Sequence, residues 1–146
     1  MALLGAAAFA GTSALAATLP TTASLPRELA LALKSGRPLL VMVSLEGCAF
    51  CKQVRDSHLA PMREREGLAV VQLDMRNKQA VVDFDGRSLT QDELIRSWGV
   101  SVAPTVLFFG RGGAEIAERM VGGYIPDFYG AYLDDRLRIA RAVVRA

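Results

Sequence analysis

A nearly continuous apolar run over residues 39–45, Leu-Leu-Val-Met-Val-Ser-Leu, leads into Glu46-Gly47-Cys48-Ala49-Phe50-Cys51-Lys52, and a helical pattern follows to residue 66. Such a run suits a central strand covered on both faces. Both cysteines of the chain therefore fall where a buried strand becomes a helix. Orphan amides and the positive end of the helix dipole stabilise an anion at the first turn, so Cys48 is expected to ionise more readily and to act as nucleophile. Cys51, one turn along, can reach back to the same sulfur, and a Cys-x-x-Cys pair in this setting can close as a disulfide and open again. A bridge over so short a loop restrains the unfolded chain little, which favours a chemical role over a structural one.

The 146 residues suit one domain with a single core, and 51% hydrophobic residues is enough to fill it. The 17 basic and 15 acidic side chains are mixed along the chain and leave a formal net charge of +2. There is no dense basic block of the kind a nucleic-acid reader carries, so no nucleic acid partner is expected. The chain is read as a monomer.

Residues 1–26 contain no charged side chain, and residues 1–10 are apolar and rich in alanine. Ala14-Leu15-Ala16 offers small residues at the spacing a signal peptidase prefers, so residues 1–17 read as a signal peptide cleaved after Ala16 or Ala17, with a periplasmic destination. The alternative is a buried or flexible N-terminal arm. Gly11-Thr12-Ser13 interrupts the run and argues against a membrane span. Residues 18–24, small and polar, read as a linker, and residues 25–146 as the folded domain.

Within that domain Pro26 opens a short helix that Gly36 ends. The cysteine helix carries Val54 and Leu59 inward until Pro61 ends or kinks it, and residues 63–66 read as a charged surface turn. Residues 68–73 form a second apolar strand and 74–79 a polar loop. Alternation and an Asp-Gly turn predict a hairpin over residues 80–87. Thr90 and Glu93 stand at capping-box spacing for a helix ending near Trp98-Gly99. Val102-Ala103-Pro104-Thr105 precedes the strand at 106–109, residues 110–113 form a turn, and 114–121 a further strand. After Gly122-Gly123, Pro126 begins a last helix with an inward stripe of Tyr129, Leu133, Leu137, Ala140 and Val144. Trp98, Phe108 and Phe109 are assigned to packing.

Three features in this order resemble the thioredoxin family over about residues 39–133: the strand ending in Glu46-Gly47-Cys48-Ala49-Phe50-Cys51, the Val102-Ala103-Pro104-Thr105 segment before an apolar strand, and Gly122-Gly123 before the final helix. The resemblance implies an α/β thioredoxin-like fold, a central mixed β-sheet flanked by α-helices, here with an extra β-hairpin insertion. It implies Pro104 in cis beside the sulfurs and Ala103 pairing with a substrate backbone. Gly47 and Gly122 border the same site, and Glu46 and Lys52 are candidates for proton relay or thiolate support. The chain looks most like exported bacterial thioredoxin-related proteins. Family members usually carry Trp immediately before the first cysteine, where this chain has Gly47. Thioredoxin proper also has a buried Asp and a nearby Lys, and the resemblance puts Met42 and Gln72 at the matching positions.

The function this implies is an exported thiol-disulfide oxidoreductase that exchanges disulfides with protein partners, working as a reductant or mild exchanger with a membrane protein as electron donor. It needs no cofactor beyond the Cys48–Cys51 couple. A different class stays open: a non-catalytic binding module, such as a copper(I) carrier, since two thiolates suit that ion. Zinc fits less well, because His58, the only histidine, lies seven residues past Cys51, about 10 Å along a helix, and cannot alone complete four ligands.

Overall fold

The computed structural model describes residues 17–123 and 126–146. The expected signal segment, residues 1–17, lies outside them apart from Ala17. Six strands are joined into two sheets among the described residues. The larger has the order β2-β1-β5-β6 and the smaller pairs β3 with β4. β1 (Leu39–Ser44) is buried at every residue. It runs parallel to β2 (Val70–Asp74) and antiparallel to β5 (Thr105–Phe109), and β5 pairs antiparallel with β6 (Glu115–Val121). The sheet is therefore mixed.

Alternation along β1 divides the interior in two. Leu39, Val41 and Val43 join α1 (Leu25–Lys34) and α4 (Gln91–Ser97) through Leu29, Leu94 and Ile95. Leu40 and Met42 face Cys51, Val54, Leu59 and the inner stripe of α5 (Tyr129–Arg145). All five stripe residues of α5 are buried. Each such large aliphatic side chain contributes about 1.5–3 kcal/mol relative to an exposed one. Phe109 packs against Trp98 with ring centroids 5.2 Å apart.

The cysteine helix differs from expectation. α2 (Ala49–Val54) passes through a π turn (Arg55–Leu59) into α3 (Ala60–Glu66) with helical backbone angles across both junctions. Ala60 N–H reaches Arg55 C=O, five residues back, so the turn widens immediately before Pro61. That extra residue accommodates a ring that would otherwise clash and a nitrogen with no proton to donate. Residues 63–66 are thus helical, not a surface turn, and Gly67 ends the helix at φ 67°.

Other boundaries shift modestly. β2 starts two residues later than the apolar run suggests, and the hairpin strands are β3 (Ala80–Val82) and β4 (Ser88–Thr90), so residues 83–87 form its turn. A 3-10 turn (Pro126–Phe128) precedes α5.

Residues 18–24, read as a linker, lie along the domain. Pro20 C=O accepts from Gln72 N–H at 2.8 Å, Ala23 C=O from Val82 N–H at 2.9 Å, and Ser24 Oγ caps α1 by accepting from Arg27 N–H. The segment thereby covers the outer edge of β2 and ties the hairpin to the main sheet. Among the described residues no helix is long and apolar enough to cross a membrane.

Candidate active site

β1 ends at Ser44, and residues 45–48 turn the chain into α2. Gly47 makes that turn at φ 76°, a conformation glycine adopts without steric cost. Cys48 is the N-cap of α2, and its Sγ accepts from Cys51 N–H at 3.2 Å. The two cysteines form a disulfide with Cα atoms 5.2 Å apart. Cys48 is partly exposed whereas Cys51 is 1% exposed, so a partner can reach only the first sulfur directly.

A second segment closes on the sulfurs from the start of β5. The Ala103–Pro104 peptide bond is cis, and Ala103 C=O lies 3.9 Å from Cys48 Sγ. Pro104 is buried, and its C=O accepts from Gly122 N–H at 2.7 Å, which ties the end of β6 to the same loop. Thr105 Oγ1 donates to Val102 C=O at 2.6 Å and steadies the turn before the proline. Cys48, Cys51, Ala103, Pro104 and Gly122 are thus brought together, with Gly47 on the lip.

Glu46 and Lys52, the two candidate supporting side chains, line the same groove as both cysteines, but among the described residues neither is hydrogen-bonded to a sulfur. Glu46 is exposed. Lys52 pairs with Asp56, one turn further along in the π turn. His58 does not line the site; its ring stacks 5.1 Å from that of Tyr129, and burial lowers its pKa from the usual value while Asp134 opposes the shift.

Met42 is fully buried and stands opposite Gln72 in the parallel register, so these positions carry no ionisable group. A polar chain begins instead at Gln72. Arg55 Nη1 donates to Gln72 Oε1 at 3.2 Å, and Gln72 Nε2 donates to Asp74 Oδ1 at 3.0 Å. These side chains line a groove of about 910 Å³ that also touches Cys48 and Cys51. Arg55, Asp74 and Arg76 were not singled out by sequence, because only the parallel pairing of β1 with β2 brings them to the cysteines.

Phe50 was also missed, although a large apolar residue between two cysteines is a visible signal. It is 54% exposed and leans on Gly123, where an added Cβ would approach its ring to 2.9 Å. Val102 and Val121 are exposed as well, at 44% and 48%. Among the described residues no group of three or more His, Cys, Asp or Glu side chains is placed to hold a metal ion.

Fold and site together define a strand–Cys-x-x-Cys–helix dithiol centre on a mixed sheet, faced by a cis proline. Residues 25–136 match the family model of the thioredoxin-like domain, and the chain belongs to that family. Solved structures agree on the fold. A DsbH oxidoreductase superposes with a TM-score of 0.57 at 19% identity, covering 92% of this chain and 96% of its own. A thioredoxin from Thermus thermophilus gives 0.52 at 24% identity, over 83% and 86%. A thioredoxin h from poplar gives 0.52 at 20%, over 75% and 85%. Comparison with curated proteins finds no significant match.

Proposed function

We propose that the chain is a thiol-disulfide oxidoreductase acting on protein disulfides through Cys48 and Cys51. The observation that carries this reading is the unequal pair itself: a partly exposed sulfur that accepts a helix-start amide, and a shielded partner one turn behind it. In the reducing direction the Cys48 thiolate attacks a substrate disulfide, forming a mixed disulfide and releasing one substrate thiolate. Cys51 then loses its proton and attacks Cys48 Sγ. The second substrate thiol leaves, the Cys48–Cys51 disulfide closes, and two electrons have passed to the substrate.

Ala103, whose C=O lies 3.9 Å from Cys48 Sγ, would pair with the substrate backbone, and Gly122 would leave room for it. No histidine lies between the cysteines to favour the thiolate strongly, so we read the protein as a reductant or mild exchanger. In the periplasm, to which residues 1–17 would direct a monomeric product, this role requires a membrane protein as electron donor.

Insulin reduction tests the activity. The wild-type chain should accelerate it and Cys48→Ser should not. A copper(I) titration on the same preparation addresses the binding-module reading: tight one-to-one binding by a protein inactive with insulin would overturn the enzymatic assignment. The reduction potential of the couple fixes the direction of flow.

A further inference from the structure

The groove beside the disulfide runs away from Pro104 towards the loop after β2. Cys48 and Cys51 line it together with Arg76 and Asn77 of that loop. Gly47 lines the same groove, and a Cβ built there would meet nothing within 4 Å, so at this residue the groove stays open.

The charges in this groove are not equally engaged. Lys52 pairs with Asp56, Arg55 binds Gln72 and Asp56, and Asp74 accepts from Gln72. Among the described residues the Arg76 guanidinium has no hydrogen-bond or ion-pair partner. Glu46 is the other unengaged charge, exposed on the lip at the Cys48 end.

Arg76 is also held in place by a device of its own. It is the one non-glycine residue at positive φ, 65°, among the described residues. Its N–H donates to Asp92 Oδ1 at 2.8 Å, Met75 N–H donates to Ser44 C=O at 2.9 Å, and Asn77 N–H to Asp74 C=O at 3.3 Å. Asp92 is 6% exposed and is itself held by Arg96 and Lys78. A left-handed non-glycine residue is costly, and such positions persist where the surroundings over-determine them. Here they fix the backbone of an exposed arginine whose unpaired guanidinium belongs to a residue lining the same groove as the two sulfurs.

We propose that this groove is a specificity subsite in which Arg76 takes a carboxylate carried by the disulfide substrate close to its reacting cysteine. The proposal rests on the exchange activity described above. A guanidinium presents a planar fork that matches a carboxylate. The carboxylate can come from an Asp or Glu side chain or from a chain terminus. Glu46 repels an acid seated at the sulfur itself, so the acid lies towards the loop after β2.

The test uses the reduced full chain and three peptide disulfides of equal length: a neutral one with an amidated terminus, one with Glu beside the cysteine and an amidated terminus, and one with a free C-terminal carboxylate. Each second-order rate constant is divided by that of dithiothreitol with the same peptide, which removes intrinsic differences in disulfide reactivity. At low salt at least one acidic peptide should react about tenfold faster than the neutral one, and the preference should shrink at about 0.5 M salt. Which acidic peptide is preferred identifies the source of the carboxylate. Arg76→Asn tolerates the left-handed backbone and should bring the ratio close to one. Arg76→Lys should retain part of it. Equal rates for all three peptides, or an acidic preference that survives in Arg76→Asn, would overturn the subsite alone. No reaction with any of them would overturn the exchange reading, and the subsite with it.

Discussion

The main-chain N–H of Cys51 donates to Sγ of Cys48 over 3.2 Å, so the first turn of α2 holds an amide against the sulfur that faces solvent. In the reduced protein the same donor would face the Cys48 thiolate, which lowers the cost of its charge. Among the described residues no hydrogen-bond donor reaches Cys51 Sγ, and Cys51 sits in the apolar cluster with Met42 and Val54. Burial in such surroundings disfavours a thiolate. On the proposed reading, this asymmetry would make Cys48 the attacking sulfur and Cys51 the resolving one.

The stretch at residues 18–24 should carry measurable stability. A chain that starts at Thr18 keeps the bonds from Pro20 to Gln72 and from Ala23 to Val82, and keeps Ser24 as the cap of α1. One that starts at Leu25 loses all three and uncovers the β2 edge. We expect the first to melt like the full chain and the second to melt lower by on the order of 10–15 °C, since each of the three lost contacts costs about 1 kcal/mol. Equal melting temperatures would show that the segment merely lies on the surface.

Thr90 and Glu93 close a reciprocal capping box at the start of α4, with bonds of 3.1 and 2.8 Å. Thr90→Ala removes one of them and should lower stability by about 1 kcal/mol. Denaturant unfolding measures this directly, and a midpoint unchanged at constant slope would contradict it.

Asp92 gives the fold an acid-sensitive support. Its pKa falls from an ordinary 3.8 to about 2, first through the Arg96 side chain and then through Arg76 N–H. A carboxylate with a depressed folded pKa contributes stability that is fully present above its unfolded value and is lost as pH falls through the folded one. The protein should therefore lose stability from about pH 4 towards pH 2, and Asp92→Asn should flatten that part of the profile. Asp83 and Glu93, whose pKa values are also lowered, leave a residual slope in the variant. An identical slope in Asp92→Asn would remove the assignment.

Gly123→Ala tests the apolar lip. The new Cβ would lie 2.9–3.0 Å from the Phe50 ring, which must swing away. Exchange with a protein disulfide should slow by up to about tenfold, because a displaced contact residue degrades orientation, while reduction of the disulfide by dithiothreitol should stay the same. Unchanged protein exchange would show that Phe50 does not touch the partner.

Much of this was legible wherever the signal is local. The apolar run of β1, the α5 stripe, the capping box and the strand-to-helix position of the cysteines all follow from short-range pattern. What escaped depends on distant pairing. Pro61 reads as an end or a kink, yet a π turn immediately before it supplies the missing residue and the helix continues to residue 66, where the helical pattern in the sequence stops. Residues 18–24 carry no periodicity, and only the exposed edge of β2 explains their course. β4 is too short and too polar to announce itself. Arg76 is held by a carboxylate sixteen residues away, which nothing in its own neighbourhood indicates. The groove has the same origin, since the register of β1 with β2 creates it.

The most direct test of the division between the two cysteines is trapping. Cys51→Ser, reduced and then mixed with a protein disulfide, should accumulate a mixed disulfide on Cys48, seen as a mass increase by the partner and released by dithiothreitol. Cys48→Ser should trap nothing. The account predicts this one-sided result. Capture by Cys48→Ser instead, or no capture by Cys51→Ser while the wild-type chain is active, would contradict it.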